Sequence, residues 1–149
     1  MSRKRKVLVI GTEPPCPRCD LLYRMVSEIS LDGLAIDLHH CSYDSPEAAA
    51  LASKLNKKIG TAKHVAKAAG IEIDVNTITA LIDSNLDKTK NNQRPADTWS
   101  PELDKMLKPY QEIAFTINFL MTPILVVDGE VKHCGSVPTQ DQVITWINE

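Results

Sequence analysis

The sequence predicts an α/β fold in which a four-stranded mixed sheet is interrupted by an α-helical insertion. Residues 6–43 alternate as strand, helix and strand, which is the pattern and approximate size of a βαβ unit. Residues 114–149 show two strands joined by a tight turn and then a helix, whereas residues 44–113 show helix signals and polar loops. We therefore expect a core formed by residues 1–43 and 114–149, with a helical insertion at 44–113.

The first unit begins with Val7–Ile10, an unbroken run of aliphatic residues that is typical of a strand buried on both faces. Pro17 suits the first position of a helix, because the N–H that proline lacks would have no helical partner there. Cys16 then becomes the N-cap. We expect this helix to end at Asp32-Gly33, and the alternation over Leu34–Leu38 predicts a half-buried second strand.

The middle of the chain carries several helix starts, at Ser45-Pro46, Thr61, Asp74 and Ser100-Pro101. Pro109 is expected to break or kink the last of these helices. Residues 87–98 are polar, and we expect a structureless loop there that serves as a substrate lid or a linker. We expect the helices to pack as a cap along one side of the active site.

The C-terminal unit begins with the apolar strand Ile124–Val127. Asp128-Gly129 is a strong signal for a two-residue hairpin, and Glu130–Cys134 is the expected return strand. Thr139–Gln142 forms a predicted capping box at the start of the last helix. The predicted order is β-α-β, insertion, β-β-α.

Composition argues against nucleic acid and membrane partners. The formal net charge is −2. Residues 61–79 weakly resemble a helix-turn-helix, but the segment that would read the DNA, Asp74–Thr79, contains no basic residue. No apolar run approaches the roughly 20 residues of a membrane span. The apolar run behind the basic start is also shorter than the roughly seven residues that a signal peptide needs. We therefore expect a cytoplasmic protein with four reduced cysteines.

Two of these cysteines form the motif Cys16-Pro17-Arg18-Cys19 at the predicted helix start. The positive end of a helix stabilises a thiolate, and two thiols three residues apart can close a disulfide or pass it on. The Arg18 side chain either curls back towards the cysteines, where its charge would further stabilise the thiolate, or points to solvent. The alternative is a non-enzymatic metal-handling or redox-sensing module that uses the same cysteines, with His39–Cys41 and His133-Cys134 as further soft ligands. Their spacing matches no zinc motif, so no metal site is predicted.

The CPxC motif behind a first strand, together with Thr122-Pro123 before the hairpin, resembles the thioredoxin superfamily, especially small glutaredoxin-like thioredoxins. The resemblance implies a thioredoxin-like three-layer fold and a thiol–disulfide oxidoreductase. In that family pattern Cys16 attacks and Cys19 resolves. Pro123 is the cis-proline beside the disulfide, and Thr122 offers its backbone to an extended substrate. Arg18, between the cysteines, is a further substrate-binding candidate.

The implied partners are a protein or small-molecule disulfide and an electron donor, either a reductase or a low-molecular-weight thiol. No bound cofactor is implied. The sequence departs from the family pattern at Pro15, where a tryptophan is common, and at Ile10, where a buried acid is common. The implied strand order places Cys41 and Cys134 on opposite edge strands, roughly 14 Å apart and too distant for a disulfide.

Overall fold

The computed structural model describes residues 4–13, 16–31, 35–86 and 94–149. The first half of the chain contains β1 (Arg5–Gly11), α1 (Pro17–Leu31), β2 (Ile36–Ser42), α2 (Pro46–Leu55), β3 (Lys58–Gly60), α3 (Ala62–Ala69) and α4 (Val75–Ser84). The second half contains a 3₁₀ turn (Pro95–Thr98), α5 (Pro101–Thr116), β4 (Phe119–Met121), β5 (Ile124–Val127), β6 (Glu130–Cys134) and α6 (Gln140–Asn148).

Four strands form the main sheet in the order β2-β1-β5-β6. Strand β1 pairs in parallel with β2 and antiparallel with β5, and β5 pairs antiparallel with β6. This arrangement confirms the predicted mixed α/β sheet and its strand order. Helix α1 crosses between the two parallel strands, so its first turn lies at the end of β1.

The sheet is covered on both faces, which gives three layers. Helices α1 and α6 pack on one face, where the buried cluster includes Val9, Leu22, Val26, Leu125 and Ile147. The other face packs against α2, with Ile10, Ala48 and Ile124 in its cluster. Successive strand residues point to opposite faces, so the central strand β1 is buried on both sides, as its unbroken apolar run predicts.

The predicted turn and helix starts are confirmed. The side chains of Ser45, Asp74 and Thr139 each accept a hydrogen bond from the backbone N–H three residues later, at 3.0–3.2 Å. Asp128 and Gly129 have positive φ angles of 49° and 84°, which is the backbone that a two-residue hairpin requires. These features depend on neighbouring residues only, which is why the sequence reveals them.

Three features of the middle segment differ from expectation. A short parallel pair, β3 with β4, lies in and beside a segment that was expected to be helical only. Helix α5 runs through Pro109 to Thr116 without the predicted break. Pro109 lies on the exposed side, while Leu103, Leu107 and Ala114 are buried on the other side. Their packing offsets the missing hydrogen bond, which costs about 3 kcal/mol in a helix interior.

The third difference concerns the loop predicted at 87–98. Pro95–Thr98 is a 3₁₀ turn and not structureless, because the buried carboxylate of Asp20 in α1 accepts hydrogen bonds from Ala96 N (2.9 Å) and Arg94 Nη2 (2.7 Å). Residues 87–93 and the predicted helix end at Asp32-Gly33 lie outside the described residues. The division of the chain at residues 43/44 and 113/114 stays a prediction.

Helices α3, α4 and α5 share a cluster of their own with β4, which includes Val65, Leu103, Phe119 and Met121. The helical segment therefore has a buried cluster of its own. Hydrogen bonds from Arg18 Nε to Asp104 and from Thr122 N–H to Gly60 O join it to the core. Among the helices that the structure describes, none has the length and apolar character needed to cross a bilayer.

Candidate functional site

Cys16 and Cys19 occupy the first turn of α1, at the end of the central strand. The carbonyl oxygen of Cys16 accepts the N–H of Asp20 at 2.9 Å, and its sulfur accepts the N–H of Cys19 at 3.4 Å. Cys16 thus caps the helix with its sulfur. It is partly exposed, whereas Cys19 is fully buried. A substrate can reach the first sulfur only.

The two sulfur atoms lie 2.9 Å apart as free thiols, and this contact gives the two thiols different pKa values. The hydrogen bond with the Cys19 side chain lowers the pKa of Cys16 from 9.0 to about 6, helped by the Cys19 N–H and the charge of Arg18 and opposed by burial. The same contact, burial and the charge on Cys16 raise the pKa of Cys19 well above its ordinary value. At neutral pH the exposed sulfur is a thiolate and the buried one a thiol.

This asymmetry predicts the pH dependence of Cys16 alkylation. Only the thiolate reacts, so the rate should rise with pH around a midpoint near the Cys16 pKa of about 6. Replacing Cys19 with Ala removes the main cause of the lowered pKa, and the midpoint should move up towards 9.0. Iodoacetamide labelling of the Cys16 peptide, followed by mass spectrometry from pH 4 to 10, measures both values. A midpoint near 9.0 in the unaltered protein would contradict the prediction.

The Arg18 side chain does not point to solvent, and its positive charge helps to lower the pKa of Cys16. It is buried, with 4% of the residue exposed, and its Nε donates to Asp104 Oδ1 at 2.7 Å. The second oxygen of Asp104 accepts the N–H of Val137 at 3.1 Å. Arg18 Nη2 is shielded from solvent and finds no hydrogen-bond partner within the described part of the chain. Asp104 therefore links the motif to α5 and to the segment before α6.

The Thr122–Pro123 peptide bond is cis, and both residues directly precede β5. Thr122 lines the same cavity as Cys16. Thr122 is buried, and its N–H donates to Gly60 O in β3 at 2.9 Å. The N–H of Thr122 is therefore already paired within the protein, next to the short β3–β4 pair.

A cavity of about 730 Å³ opens beside Cys16. Cys16, Arg18 and Thr122 line it on the sheet side, and Tyr43 and His64 line it near α3. The opposite wall is mostly apolar and comes from the helical segment, with Ile73, Ile78, Ile82, Leu103 and Leu107. The helices thus wall one side of the cavity. Cys16, Arg18 and Thr122 are the predicted site residues that line it.

The other two cysteines lie away from this cleft. The sheet register places Cys41, Ile10, Ile124 and Cys134 in one row across the four strands, so two residues separate the cysteines on opposite edges. Burial raises the pKa of both thiols. Among the described residues, no three histidine, cysteine or acidic side chains come together as metal ligands.

Sequence reasoning missed Asp104, which lies 86 residues from Arg18 and carries no local signal. It also missed the role of Gly11. A Cβ atom on Gly11 would lie 2.6 Å from the sulfur and 2.7 Å from the Cβ of Cys19. Only glycine lets α1 approach β1 so closely, and this approach buries Cys19.

Comparison with known proteins identifies the family of this chain. The family model described as a thioredoxin domain matches residues 59–148, which is more than half of the chain. The chain belongs to the thioredoxin superfamily. The match begins after the motif and does not include Cys16 or Cys19. No curated protein matches the sequence.

Among solved structures, this thioredoxin-superfamily chain is similar to ScsC of Proteus mirabilis, whose crystal structure is in a transitional conformation. The TM-score is 0.40 and the identity 12%, with 97% of this chain covered. The chain spans 66% of the length of that protein.

Proposed function

We propose that this protein exchanges disulfides through Cys16 and Cys19, with Cys16 attacking and Cys19 resolving. The observation that carries the proposal is the 2.9 Å contact between a partly exposed sulfur of pKa about 6 and a buried sulfur of raised pKa. Nucleophilic attack on a disulfide requires a thiolate that the substrate can reach, and Cys16 is that thiolate.

The proposed exchange takes place in two steps. The Cys16 thiolate attacks one sulfur of the substrate disulfide, the substrate S–S bond breaks, and the other substrate sulfur leaves as a thiolate that takes a proton. Cys19 then loses its proton and attacks the sulfur of Cys16 in the mixed disulfide. The Cys16–Cys19 disulfide forms and the second substrate thiolate leaves, so two electrons pass to the substrate. A reductase or a low-molecular-weight thiol returns them, and an oxidised pair runs the sequence in reverse.

The cleft supports a role for Arg18, Thr122 and Pro123 in holding the substrate. Thr122 and Arg18 both line the cavity, and the cis bond lies directly after Thr122. The apolar wall from α4 and α5 favours a disulfide that is flanked by apolar groups. The exchange needs no bound cofactor, and we retain the cytoplasm as the predicted compartment.

The reduction potential of the pair tests the proposal. Equilibration in glutathione buffers, with mass-spectrometric readout of the Cys16–Cys19 peptide, should give a reversible two-electron couple at roughly −200 to −270 mV. Variants Cys41→Ser and Cys134→Ser serve as controls and should keep the same potential, because both residues lie outside the cleft. Absence of a reversible couple would end the proposal. A reversible couple in that range, in a protein that reduces no disulfide substrate, would favour the redox-sensing alternative.

A further inference from the structure

His40 places an unused ring nitrogen beside the buried end of the motif. It lies in β2 opposite Val9, and strand alternation puts it with Ile36 and Leu38 on the sheet face that α1 covers. Its side chain is 16% exposed, and its Nε2 atom is shielded from solvent. This nitrogen has no hydrogen-bond partner among the residues in the described ranges. A buried polar atom without a partner is rare and calls for an explanation.

Gly11 shows how close this nitrogen is to Cys19. A Cβ atom on Gly11 would lie 2.6 Å from Cys19 Sγ and 3.5 Å from His40 Nε2. Both atoms therefore lie next to the position that a side chain on Gly11 would occupy. Their separation cannot exceed the sum of those two distances, which is within reach of a contact through one water molecule. In unliganded proteins, catalytic hydrogen bonds are often longer than in the reacting complex.

The surroundings of the ring favour the tautomer that accepts a proton at Nε2. Glu13 Oε2, from the segment after β1, lies 3.6 Å from His40 Nδ1. A carboxylate there favours a proton on Nδ1, which leaves the lone pair on Nε2. From α1, the titratable groups that face the ring are Cys19 and Tyr23, whose ring centroid lies 6.1 Å away in an edge-to-face arrangement. No cation is among these neighbours.

We propose that His40 is the proton acceptor for Cys19 in the resolving step. The inference rests on the proposed function, since it concerns the second half of the same exchange. As Cys19 Sγ attacks the Cys16 sulfur, the Cys19 proton moves to His40 Nε2, directly or through one water. The Cys16–Cys19 bond forms, the bond from Cys16 to the substrate sulfur breaks, and its electron pair leaves on that sulfur. The imidazolium then returns its proton to the departing thiolate or to solvent.

The two steps can be followed separately with a chromogenic aryl disulfide in a stopped-flow instrument. The reduced protein should release one coloured thiolate when Cys16 attacks and a second when Cys19 resolves. Positioned general bases contribute about 10²-fold or more. In a His40→Gln variant the second phase should therefore slow by about 100-fold at pH 7. The first phase should keep its rate and its pH midpoint.

His39→Gln is the matched control. It changes the adjacent residue, which is 67% exposed and points to the opposite face. Both phases should be unchanged in it. A second phase in His40→Gln with the unaltered rate and pH profile would overturn the inference. Equal slowing of both phases would also overturn it, because that result marks a structural role only.

A measurement on the unaltered protein keeps the inference testable should His40→Gln not fold. Proton transfer during resolution predicts a solvent deuterium isotope effect on the second phase and none on the first. Equal rates in H₂O and D₂O would contradict the inference. Release of one coloured thiolate alone from the unaltered protein is a different failure, because it would contradict the proposed exchange itself.

Discussion

A Cys16→Ser variant should show no disulfide exchange above the uncatalysed background. Cys16 is the sulfur of the pair that is partly exposed and ionised near neutral pH, whereas Cys19 is fully buried. A serine hydroxyl at this position does not ionise in the working range and cannot form a disulfide. Reduction of a small aryl disulfide and of a disulfide-bonded protein, with a regenerating thiol present, measures the loss.

A Cys19→Ser variant should fail differently, because it keeps the attacking sulfur. The first step proceeds and the second cannot, so mixed disulfides on Cys16 should accumulate. Non-reducing gels and mass spectrometry of the Cys16 peptide detect them. Cys134→Ser is the matched control, since Cys134 is also buried but lies on the far edge strand. Unchanged turnover in Cys16→Ser, or trapped species that map to Cys134, would contradict the assignment.

Replacing Asp104 with Asn should lower the free energy of unfolding by about 3 kcal/mol, the lower end of the range for breaking a buried ion pair. The Arg18 side chain is 5% exposed, and in the variant its Nε loses the negative charge that balances it at 2.7 Å. The lower value is expected because Asp104 itself is 17% exposed. Urea unfolding followed by circular dichroism gives the change.

Glu102→Gln controls for the loss of a negative charge near the start of α5. Glu102 also lies in the first turn of this helix, but it is exposed. Its replacement should cost about 0.3–1 kcal/mol, the effect of one charge on the helix dipole. Equal losses in the two variants would show that the buried contact with Arg18 contributes nothing. A larger loss in Asp104→Asn alone supports the ion pair as the link between the motif and α5.

Local signals predicted much of the fold correctly. Helix caps at Ser45, Asp74 and Thr139 and the Asp128-Gly129 hairpin depend on backbone geometry within four residues, which neighbouring side chains specify. The order of the four strands is the one that the resemblance to the thioredoxin superfamily implied, and the structure confirms it. The predictions failed where distant contacts outweighed local preference. Packing of its buried residues keeps α5 helical through Pro109. The Asp20 carboxylate, 76 residues before Ala96 in the chain, accepts the Ala96 N–H and stabilises the 3₁₀ turn Pro95–Thr98.

For the site, the sequence alone predicted the chemistry of the motif, because two cysteines around a proline at a helix start indicate a reactive thiol without reference to the rest of the chain. It also placed Thr122-Pro123 before the hairpin. Only the tertiary structure decided which groups surround the motif. Asp104 accepts a hydrogen bond from Arg18, and Gly60 O accepts the N–H of Thr122. Cys19 Sγ and His40 Nε2 both lie near Gly11. These contacts join residues far apart in the chain. Their distances depend on how helices and sheet pack, and no local pattern encodes that packing.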